Sequence, residues 1–262
     1  MLAQVIALQL DIVWENKAAN HDKVRALLER ARPEPSALVV LPEMFATGFS
    51  MKVTRIDEGE ERPSERFLAA LAQEFGVYVT GGLVNRAPDR RGLNQSLTFD
   101  PEGREVARYD KMHPFSFAKE DQHYAAGSTP LTFPWQGFSV CPVICYDLRF
   151  PELFRAGTRL GAEIFTVIAN WPARREQHWL TLLQARAIEN QAYVVGVNRA
   201  GNDPWLHYSG RSLIVDPKGE IIADAGAAEG AISALLDRAA LSAWRAEFPA
   251  LHDMRADLLP PL

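Results

Sequence analysis

Short apolar runs rich in β-branched residues recur along the whole chain, and they restrict the fold more than any other feature. Each run has the length of a strand. Stretches with helical periodicity lie between some of the runs, so helices and strands are mixed. The predicted strands are Val5–Leu10, Ala37–Leu41, Val77–Val84, Leu93–Phe99, Phe138–Cys145, Glu163–Ala169, Tyr193–Val197, Ser212–Val215 and Glu220–Ala223.

Three stretches carry apolar residues at helical spacing and predict amphipathic helices. Asn16 is a candidate N-cap before the first stretch. Ser64 and Gly76 are start and stop signals around the second. The apolar stripes consist of Val24, Leu27, Leu28 and Ala31, of Phe67, Leu68, Leu71 and Phe75, and of Trp179, Leu182, Leu183 and Ala187.

Two segments of the chain resemble each other. Residues 96–103 and 212–219 both read Ser-Leu-x-x-Asp-Pro-x-Gly, and a strand follows each. Asp-Pro-x-Gly suits a type I turn because proline presets φ and glycine closes the bend. The segments predict two similar antiparallel hairpins rather than a repeat architecture. Since hairpins are present, two sheets packed face to face with helices outside fit better than a purely parallel sheet.

The chain has 262 residues, enough for one large domain or two small ones. No linker rich in Pro, Gly or Ser divides it. We therefore predict a single domain over residues 1–262. The residues from about 248 onwards hold Pro249, Pro260 and Pro261, and we expect them to form an extended tail over the surface.

Charge and hydropathy narrow the classes of partner. Lys plus Arg number 28 and Asp plus Glu number 33, which gives a formal net charge of −5. Because the chain has no concentrated basic run, we expect no nucleic-acid partner. No stretch approaches the ~18 apolar residues that span a bilayer, so we expect no membrane partner.

The chain holds two cysteines, Cys141 and Cys145, too few for a disulfide framework. In an extended run they lie roughly 13 Å apart. A disulfide needs Cα atoms within about 7 Å, so at least one thiol has another reason to be there. The first ten residues have no basic lead-in and no cleavage site, and they predict a strand rather than a signal peptide. We therefore expect a cytoplasmic, reducing location.

Motifs for several common chemistries are absent from the sequence. There is no Gly-x-Ser-x-Gly elbow, no phosphate-binding or dinucleotide-binding glycine motif and no His-Glu-x-x-His. The six histidines show no metal spacing, and the cysteines are not paired for zinc. We therefore expect chemistry that needs neither a cofactor nor a metal.

Three segments each place a reactive side chain where a predicted strand ends. Leu38–Glu43 delivers a carboxylate beside Pro42, and Arg108–Lys111 brings an amine to a sheet edge. Val143–Cys145 presents a thiol just before a helical spacing begins. A turn from strand to helix exposes a nucleophile and can offer backbone N–H groups to a developing oxyanion.

A glutamate, a lysine and a cysteine suffice for acyl transfer. Lys111 would lower the pKa of the Cys145 thiol and later hold the oxyanion. Glu43, if partly buried, would have a raised pKa and could pass a proton in both directions. Each residue also has a purely structural interpretation: a cysteine at a strand end is often a small core residue, and a lone Lys or Glu is often solvated.

The three segments resemble the Glu–Lys–Cys triad of the nitrilase superfamily, the carbon–nitrogen hydrolases. Further segments resemble the same family in its order, and the likeness runs from about residue 3 to 237. Leu41–Met51 and Cys145–Leu153 are most similar to the omega-amidase branch. One departure is Pro114, where the family more usually has leucine, and it can reshape the loop after Lys111. The further segments are Asn170–Arg174 with His178 and Trp179, Ala185–Val194, Asn198–Gly201 and Ser209–Gly219.

The resemblance implies an α-β-β-α sandwich, with two mixed β-sheets face to face, and a homodimer or higher homo-oligomer formed through the outer helices. It implies Cys145 as the nucleophile and Glu43 as the general base and acid. Lys111 would stabilise the oxyanion together with the Tyr146 amide. Glu120 matches a second family glutamate that supports the lysine or the attacking water. Elementary electrostatics agrees, because a glutamate beside the lysine would hold it charged.

The omega-amidase branch hydrolyses 2-oxoglutaramate and 2-oxosuccinamate to ammonia and an oxo-dicarboxylate, and the resemblance implies this reaction through a cysteine thioester. A substrate carboxylate needs a cation, for which Arg149 and Arg174 are candidates. The alternative for these two arginines is solvated surface. Phe117, Tyr124 and Trp171 are candidate pocket walls, with packing in an aromatic core as the alternative. Two other functions stay open. The same triad could act on a nitrile, a carbamoyl compound or another amide, or the chain could be a non-catalytic dimeric interaction module.

Overall fold

Each apolar run predicted as a strand overlaps a strand of the computed structural model, which describes residues 2–258. β-branched side chains favour extended backbone and pack well on a sheet. The strands in these residues are β1 (Leu2–Gln9), β2 (Leu38–Val40), β3 (Tyr78–Arg86), β4 (Gly92–Phe99), β5 (Glu105–Asp110), β6 (Phe133–Trp135), β7 (Phe138–Ile144), β8 (Ile164–Ala169), β9 (Tyr193–Asn198), β10 (Ala200–Asn202), β11 (His207–Ser209), β12 (Leu213–Val215), β13 (Ile221–Asp224) and β14 (Gly230–Asp237). The α-helices are α1 (Lys17–Ala31), α2 (Val53–Ile56), α3 (Pro63–Phe75), α4 (Glu120–His123), α5 (Pro151–Arg159), α6 (Glu176–Asn190) and α7 (Arg238–Glu247).

Twelve of these strands form two six-stranded sheets, and β10 and β11 pair separately. The first sheet has the order β14-β1-β2-β3-β4-β5, and the second has β6-β7-β8-β9-β12-β13. In each sheet three neighbouring strands are parallel, namely β1 to β3 and β7 to β9, and the remaining pairs are antiparallel. The two sheets therefore share one order and one set of strand directions.

The two similar sequence segments connect equivalent strands of the two sheets. One links β4 to β5 and the other links β12 to β13, and both pairs are antiparallel, so the prediction of two hairpins is confirmed. Each hairpin also has a register shift at its last pairs before the turn, between Thr98 and Phe99 and between Ile214 and Val215. We interpreted the similar sequence segments as two separate hairpins. The structure shows that they are equivalent parts of two sheets with the same strand order.

The sheets pack face to face because alternate strand residues are apolar on both sides. Val5 and Ala7 of β1 join the core shared with the second sheet, whereas Ile6 and Leu8 face the outer layer. Helices α1 and α3 cover that outer face, and α5 and α6 cover the outer face of the second sheet. The predicted α-β-β-α sandwich is confirmed. No helix within residues 2–258 is both long and apolar enough to cross a membrane.

The helix boundaries follow most of the predicted signals. Asn16 caps α1 by accepting from Ala19 N at 3.1 Å, and Gly76 ends α3 with a left-handed φ of 63°. Ser64 is not the cap of α3 as we predicted, because Pro63 already occupies the first helical turn. A carboxylate upstream of the helix takes over that task, with Glu58 Oε2 accepting from Ser64 N at 2.6 Å. Such an acceptor cannot be recognised from the helix sequence alone.

The segment after α7 turns twice, in 3-10 turns at Ala250–Asp253 and Ala256–Leu258. Gln191 Nε2 donates to Phe248 O at 2.7 Å and holds the start of this segment against the end of α6. Pro260 and Pro261 lie outside the described residues, so the predicted extended tail stays a prediction there.

Candidate active site

The ends of β2, β5 and β7 bring Glu43, Lys111 and Cys145 to one edge of the sandwich. β2 is parallel to β3, and β5 runs in the same direction two strands further along the sheet. The carboxyl ends of such strands share one edge, where ligand sites of sheets with parallel strands are found. The charges of Glu43 and Lys111 both act on the Cys145 sulfur. The three segments that the sequence singled out therefore meet in space.

The Lys111 ammonium lies between two buried carboxylates. Its Nζ donates to Glu43 Oε1 at 2.9 Å and to Glu120 Oε1 and Oε2 at 3.1 and 2.9 Å. Phe115 N donates to Glu120 Oε2 at 2.5 Å. All three charged side chains are at most 1% exposed, so water screens these interactions only weakly. The structure thus places Glu120 against the lysine, where the sequence predicted it.

Two asparagines that the sequence did not single out complete the shell of Glu43. Asn94 Nδ2 donates to Glu43 Oε1 at 2.7 Å and to Glu120 Oε1 at 2.9 Å, and so it bridges two like charges. Asn170 N donates to Glu43 Oε2 at 2.8 Å, and Asn170 Nδ2 donates to Glu43 O at 2.6 Å. The available signals were a polar residue inside the apolar run of β4 and the Asn-Trp-Pro stretch after β8.

The electrostatics of Glu43 differ from our expectation. Burial raises the pKa of Glu43, but the charge of Lys111 and hydrogen bonds from the lysine and the two asparagines outweigh it. The predicted raised pKa is therefore wrong, and the pKa of Glu43 is lowered, because donors from three distant segments converge on one carboxylate. Burial lowers the pKa of Lys111, but Glu120 and Glu43 raise it well above its ordinary value. For Glu120, burial and the neighbouring Glu43 outweigh the lysine and raise the pKa.

Cys145 stands at the turn from β7 towards α5, with a left-handed φ of 49°. A non-glycine residue in this region stores strain of order 1–3 kcal/mol, as in other turns that present a nucleophile. The side chain is 9% exposed, and its sulfur lies 4.0 Å from Asn170 O. Burial and Glu43 raise the pKa of the Cys145 thiol well above its ordinary value, and Lys111 offsets only part of this. Lys111 lowers the thiol pKa as predicted, but burial and Glu43 outweigh it, and the resting site holds a neutral thiol beside an ionised Glu43.

Gly82 in β3 allows this strand to lie directly against the turn that carries Glu43. A Cβ at position 82 would lie 2.6 Å from Glu43 Cα and 2.6 Å from Met44 N. Two backbone hydrogen bonds hold the contact, from Gly82 N to Pro42 O at 3.2 Å and from Phe45 N to Gly82 O at 3.1 Å. Only glycine fits between the strand and the backbone of the carboxylate.

Asp147 ties the turn of Cys145 to the end of β5. Its Oδ1 accepts from His113 N at 3.0 Å, and His113 Nδ1 lies 2.8 Å from the same oxygen. Its Oδ2 accepts from Tyr109 OH at 2.8 Å and from Ile144 N at 2.9 Å. Tyr109 and His113 stand two residues on either side of the lysine, and Ile144 precedes the cysteine. One buried carboxylate therefore sets the position of the lysine relative to the thiol.

We expect the Asp147→Asn variant to lose about 1–3 kcal/mol of unfolding free energy and at least about tenfold in kcat. Asp147 accepts one backbone N–H on each oxygen, whereas an amide has a single acceptor oxygen. Either orientation of the amide would therefore turn its NH2 towards the N–H of His113 or of Ile144. Chemical denaturation and ammonia release measure the two effects.

The Asp216→Asn variant is the matched control for this substitution. Asp216 accepts from Lys218 N and Glu220 N at 2.9 Å each, and both bonds go to the same oxygen. An asparagine can keep both bonds, so we expect nearly unchanged stability and activity. Equal losses in the two variants would contradict the role of Asp147 as a link between β5 and the cysteine turn.

A cavity of about 210 Å³ opens at Cys145 and Tyr146. Four of the predicted substrate-binding residues line it, namely Phe117, Arg149, Trp171 and Arg174. Nothing in the local sequence shows that distant loops reach the same cavity, and for this reason other lining residues were missed. They include Phe49, Phe115, Arg175, Leu206 and Tyr208.

Tyr124, which we predicted to line the pocket, lies outside this cavity. The short helix α4 turns it towards β4, where it forms an isolated bridge with Gly92. A Cβ on Gly92 would lie 2.5 Å from the tyrosine ring, so the two are in direct contact. The Tyr124 hydroxyl donates to Ser50 O at 2.5 Å. The Tyr124 side chain therefore packs against the start of β4 and does not reach the cavity, although it is only four residues from Glu120 in sequence.

The family model and the sequence relatives that match this chain all point to the same family. A model of the carbon–nitrogen hydrolase family matches residues 4–246. Omega-amidase YafV of Yersinia enterocolitica is 40% identical over 254 residues, which cover 96% of this chain and 96% of that protein. The 2-oxoglutaramate amidase of Bacillus subtilis is 33% identical over 255 residues, which cover 97% of this chain and 98% of that protein.

A solved structure agrees with the sequence relatives. XC1258 from Xanthomonas campestris, a CN-hydrolase superfamily protein with an arsenic adduct in its active site, superposes with a TM-score of 0.92. It is 34% identical, and the match covers 99% of this chain and 100% of that one. The resemblance to the nitrilase superfamily is thereby confirmed. Since the family model spans nearly the whole sequence and relatives above 30% identity align from end to end, the chain belongs to the carbon–nitrogen hydrolase family.

Proposed function

We propose that the protein is an amidase that hydrolyses the terminal amide of a small oxo-dicarboxylate monoamide, 2-oxoglutaramate or 2-oxosuccinamate, to the acid and ammonia. The observation that carries the proposal is the joint position of a neutral Cys145 thiol, an ionised Glu43 and a charged Lys111 beside one cavity lined by arginines. The similarity to an omega-amidase and to a 2-oxoglutaramate amidase supports the substrate class.

The first half of the reaction forms a thioester. Glu43 takes the thiol proton as the Cys145 sulfur attacks the amide carbonyl, and the carbonyl π electrons move to oxygen. Lys111 Nζ and the Tyr146 N–H hold the oxyanion, an interaction of the kind worth about 10²–10³ in rate. The tetrahedral intermediate collapses, the carbon–nitrogen bond breaks, and Glu43 protonates the departing nitrogen to give ammonia. Glu43 is ionised again and can act a second time.

The second half hydrolyses the thioester. Glu43 takes a proton from water as the water oxygen attacks the thioester carbonyl, and the same two donors hold the oxyanion. The intermediate then expels the Cys145 sulfur, which takes the proton back from Glu43. Glu120 does not transfer a proton in this scheme. It holds Lys111 in place and keeps it charged in a site where burial alone would favour a neutral amine.

A product assay tests the function. The purified protein should release ammonia from 2-oxoglutaramate at least about tenfold faster than from glutamine, which has the same terminal amide but carries an α-amino group in place of the oxo group. Two further compounds are assayed in the same way: a five-carbon carboxylic acid that carries a nitrile in place of the amide, and an N-carbamoyl amino acid. Turnover of the nitrile or the carbamoyl compound, with no ammonia from either oxo-acid amide, would contradict the proposed substrate class.

We also propose that the chain works as a cytoplasmic homodimer or higher homo-oligomer, without cofactor or metal. Exposed apolar side chains of α6 and of the edge strand β13 support association, namely Ile188, Ile221 and Ile222. A Cβ on Gly219 would lie 2.5 Å from the Ile188 side chain, so the turn before β13 lies against α6. Light scattering on the purified protein measures the mass, and a monomer of 29.2 kDa would contradict the proposal.

A further inference from the structure

We propose that Arg175 is the residue that binds the far carboxylate of the substrate, an assignment that rests on the proposed amidase function. The sequence pointed to Arg149 and Arg174, and the structure adds Arg175 as a third arginine on the wall of the same cavity. Arg174 is exposed whereas Arg149 and Arg175 are half-buried, and the three guanidinium groups have different partners. Those differences favour Arg175 as the anion-binding residue.

The cavity wall carries positive charge that the protein itself does not neutralise. Within residues 2–258, no carboxylate pairs with Arg149, Arg174 or Arg175 at 4.0 Å or less. At the inner end Glu43 and Glu120 pair with the Lys111 ammonium and not with the arginines. An anionic ligand is therefore the natural partner of the arginine wall, and a neutral ligand would leave it uncompensated.

Arg149 and Arg174 are less suited to close binding of a carboxylate. Arg149 Nη2 lies 3.1 Å from His178 Nδ1, and its guanidinium lies over the Trp171 ring at 4.8 Å. Arg174 is exposed and stacks at 5.8 Å on Phe117, which is itself 74% exposed. A solvated arginine gains little from an ion pair, because water already stabilises its charge.

Arg175 is half-buried, and no hydrogen bond to its guanidinium competes with a ligand within the described part of the chain. The guanidinium lies over the Phe115 ring at 5.2 Å, and Trp171 Nε1 donates to Arg175 O at 2.8 Å. The backbone and one face of the side chain are therefore fixed before the ligand arrives. A preorganised, partly desolvated arginine can bind a carboxylate through two parallel hydrogen bonds.

The charges around Arg175 point the same way. Burial and the neighbouring Arg174 lower the pKa of Arg175, and Arg149 adds to this repulsion, whereas the Cys145 sulfur acts in the opposite direction. The guanidinium is thus within electrostatic reach of the nucleophile. A carboxylate bound between the arginines would relieve their repulsion and would set its amide end towards the sulfur.

The test compares Arg175→Gln with Arg174→Gln, which removes the same charge one residue away. We expect kcat/KM for 2-oxoglutaramate to fall about 100-fold in Arg175→Gln, mainly through KM, and less than about fivefold in Arg174→Gln. The kcat/KM of Arg175→Lys should lie between the values of wild type and Arg175→Gln, because lysine keeps the charge but cannot form two parallel hydrogen bonds to a carboxylate. Hydrolysis of pentanamide, which has no carboxylate, should change less than about twofold in Arg175→Gln.

A binding measurement separates this assignment from the proposed function. Calorimetry with the Cys145→Ala protein should give a Kd for 2-oxoglutaramate and for 2-oxoglutarate, and adding Arg175→Gln should raise both about 100-fold. Equal losses in the Arg174 and Arg175 variants, or an unchanged Kd, would overturn the assignment of Arg175. A wild-type protein that binds these acids through Arg175 but releases no ammonia would instead overturn the proposed reaction.

Discussion

The Cys145→Ala variant should release no measurable ammonia from 2-oxoglutaramate while it folds as the wild type does. Removing a covalent nucleophile typically lowers kcat by about 10⁴-fold or more, because no other group can form the acyl intermediate. The substitution deletes a single sulfur at the cavity surface. Cysteine and alanine both carry a Cβ, so the backbone strain at the left-handed φ of residue 145 stays the same. We therefore expect an unfolding free energy within about 1 kcal/mol of wild type. Ammonia release and thermal unfolding followed by circular dichroism give the two readouts.

Cys141→Ala is the matched control for the nucleophile. Cys141 lies in β7, four residues before Cys145, and is completely buried. Burial raises the pKa of Cys141 to about 12, so its thiol stays protonated. This variant should stay active, although a small cavity beside Gly157 costs some stability. Full turnover by the Cys145 variant would exclude Cys145 as the nucleophile, and a folded but inactive Cys141 variant would reopen the choice between the two thiols.

The Lys111→Met variant should lose both activity and stability. Without the ammonium, Glu43 and Glu120 would face each other as buried like charges that share the single donor group of Asn94. Breaking a buried ion pair by removing one partner costs about 3–5 kcal/mol. The reaction also loses an oxyanion donor, worth about 10²–10³ in rate. Urea denaturation and ammonia release measure the two losses.

A second substitution separates the loss of stability, which comes from the uncompensated carboxylates, from the loss of activity, which comes from the missing oxyanion donor. Lys111→Met combined with Glu120→Gln removes one charge from the cluster, so it should recover most of the lost stability but not the activity. The deficit of the single variant should also shrink from pH 8 to pH 5. Both carboxylates would have raised pKa values without the lysine, and protonation on acidification would relieve their repulsion. A single variant as stable as wild type at pH 8 would contradict the description of the cluster.

Side chains at strand ends could be predicted from the sequence, whereas side chains inside strands could not. Glu43 and Cys145 each follow a buried apolar run, and Lys111 follows a strand that ends before a proline, so the sequence alone indicates all three positions. Asn94 lies within β4, and only the approach of two distant carboxylates gives it a role. The strand β14 was missed for a related reason. It is partly exposed, and its pairing with β1 joins residues more than 200 positions apart.

The protonation states of Glu43 and Cys145 could not be predicted from the sequence, because each depends on the combined effect of burial, charges and hydrogen bonds from distant segments. A buried glutamate was expected to have a raised pKa, and burial does act in that direction on Glu43. Lys111, Asn94 and Asn170 reverse the sign, and they come from three other segments of the chain. The same reasoning failed for Cys145, where Lys111 acts as expected but burial and Glu43 are stronger.

The fixed position of Glu43, the proposed general base, limits how the substrate can bind. With Gly82 pressed against its backbone and five donated hydrogen bonds on its carboxylate and carbonyl, Glu43 has no freedom to travel. Every proton it handles must come to it, first from the sulfur and later from water, and the nitrogen must leave past the same oxygen. In the proposed reaction the scissile C–N bond therefore has to point inwards at the carboxylate, with the rest of the molecule extending towards the arginines. A glycine that never touches the substrate would thus restrict how the amide can bind.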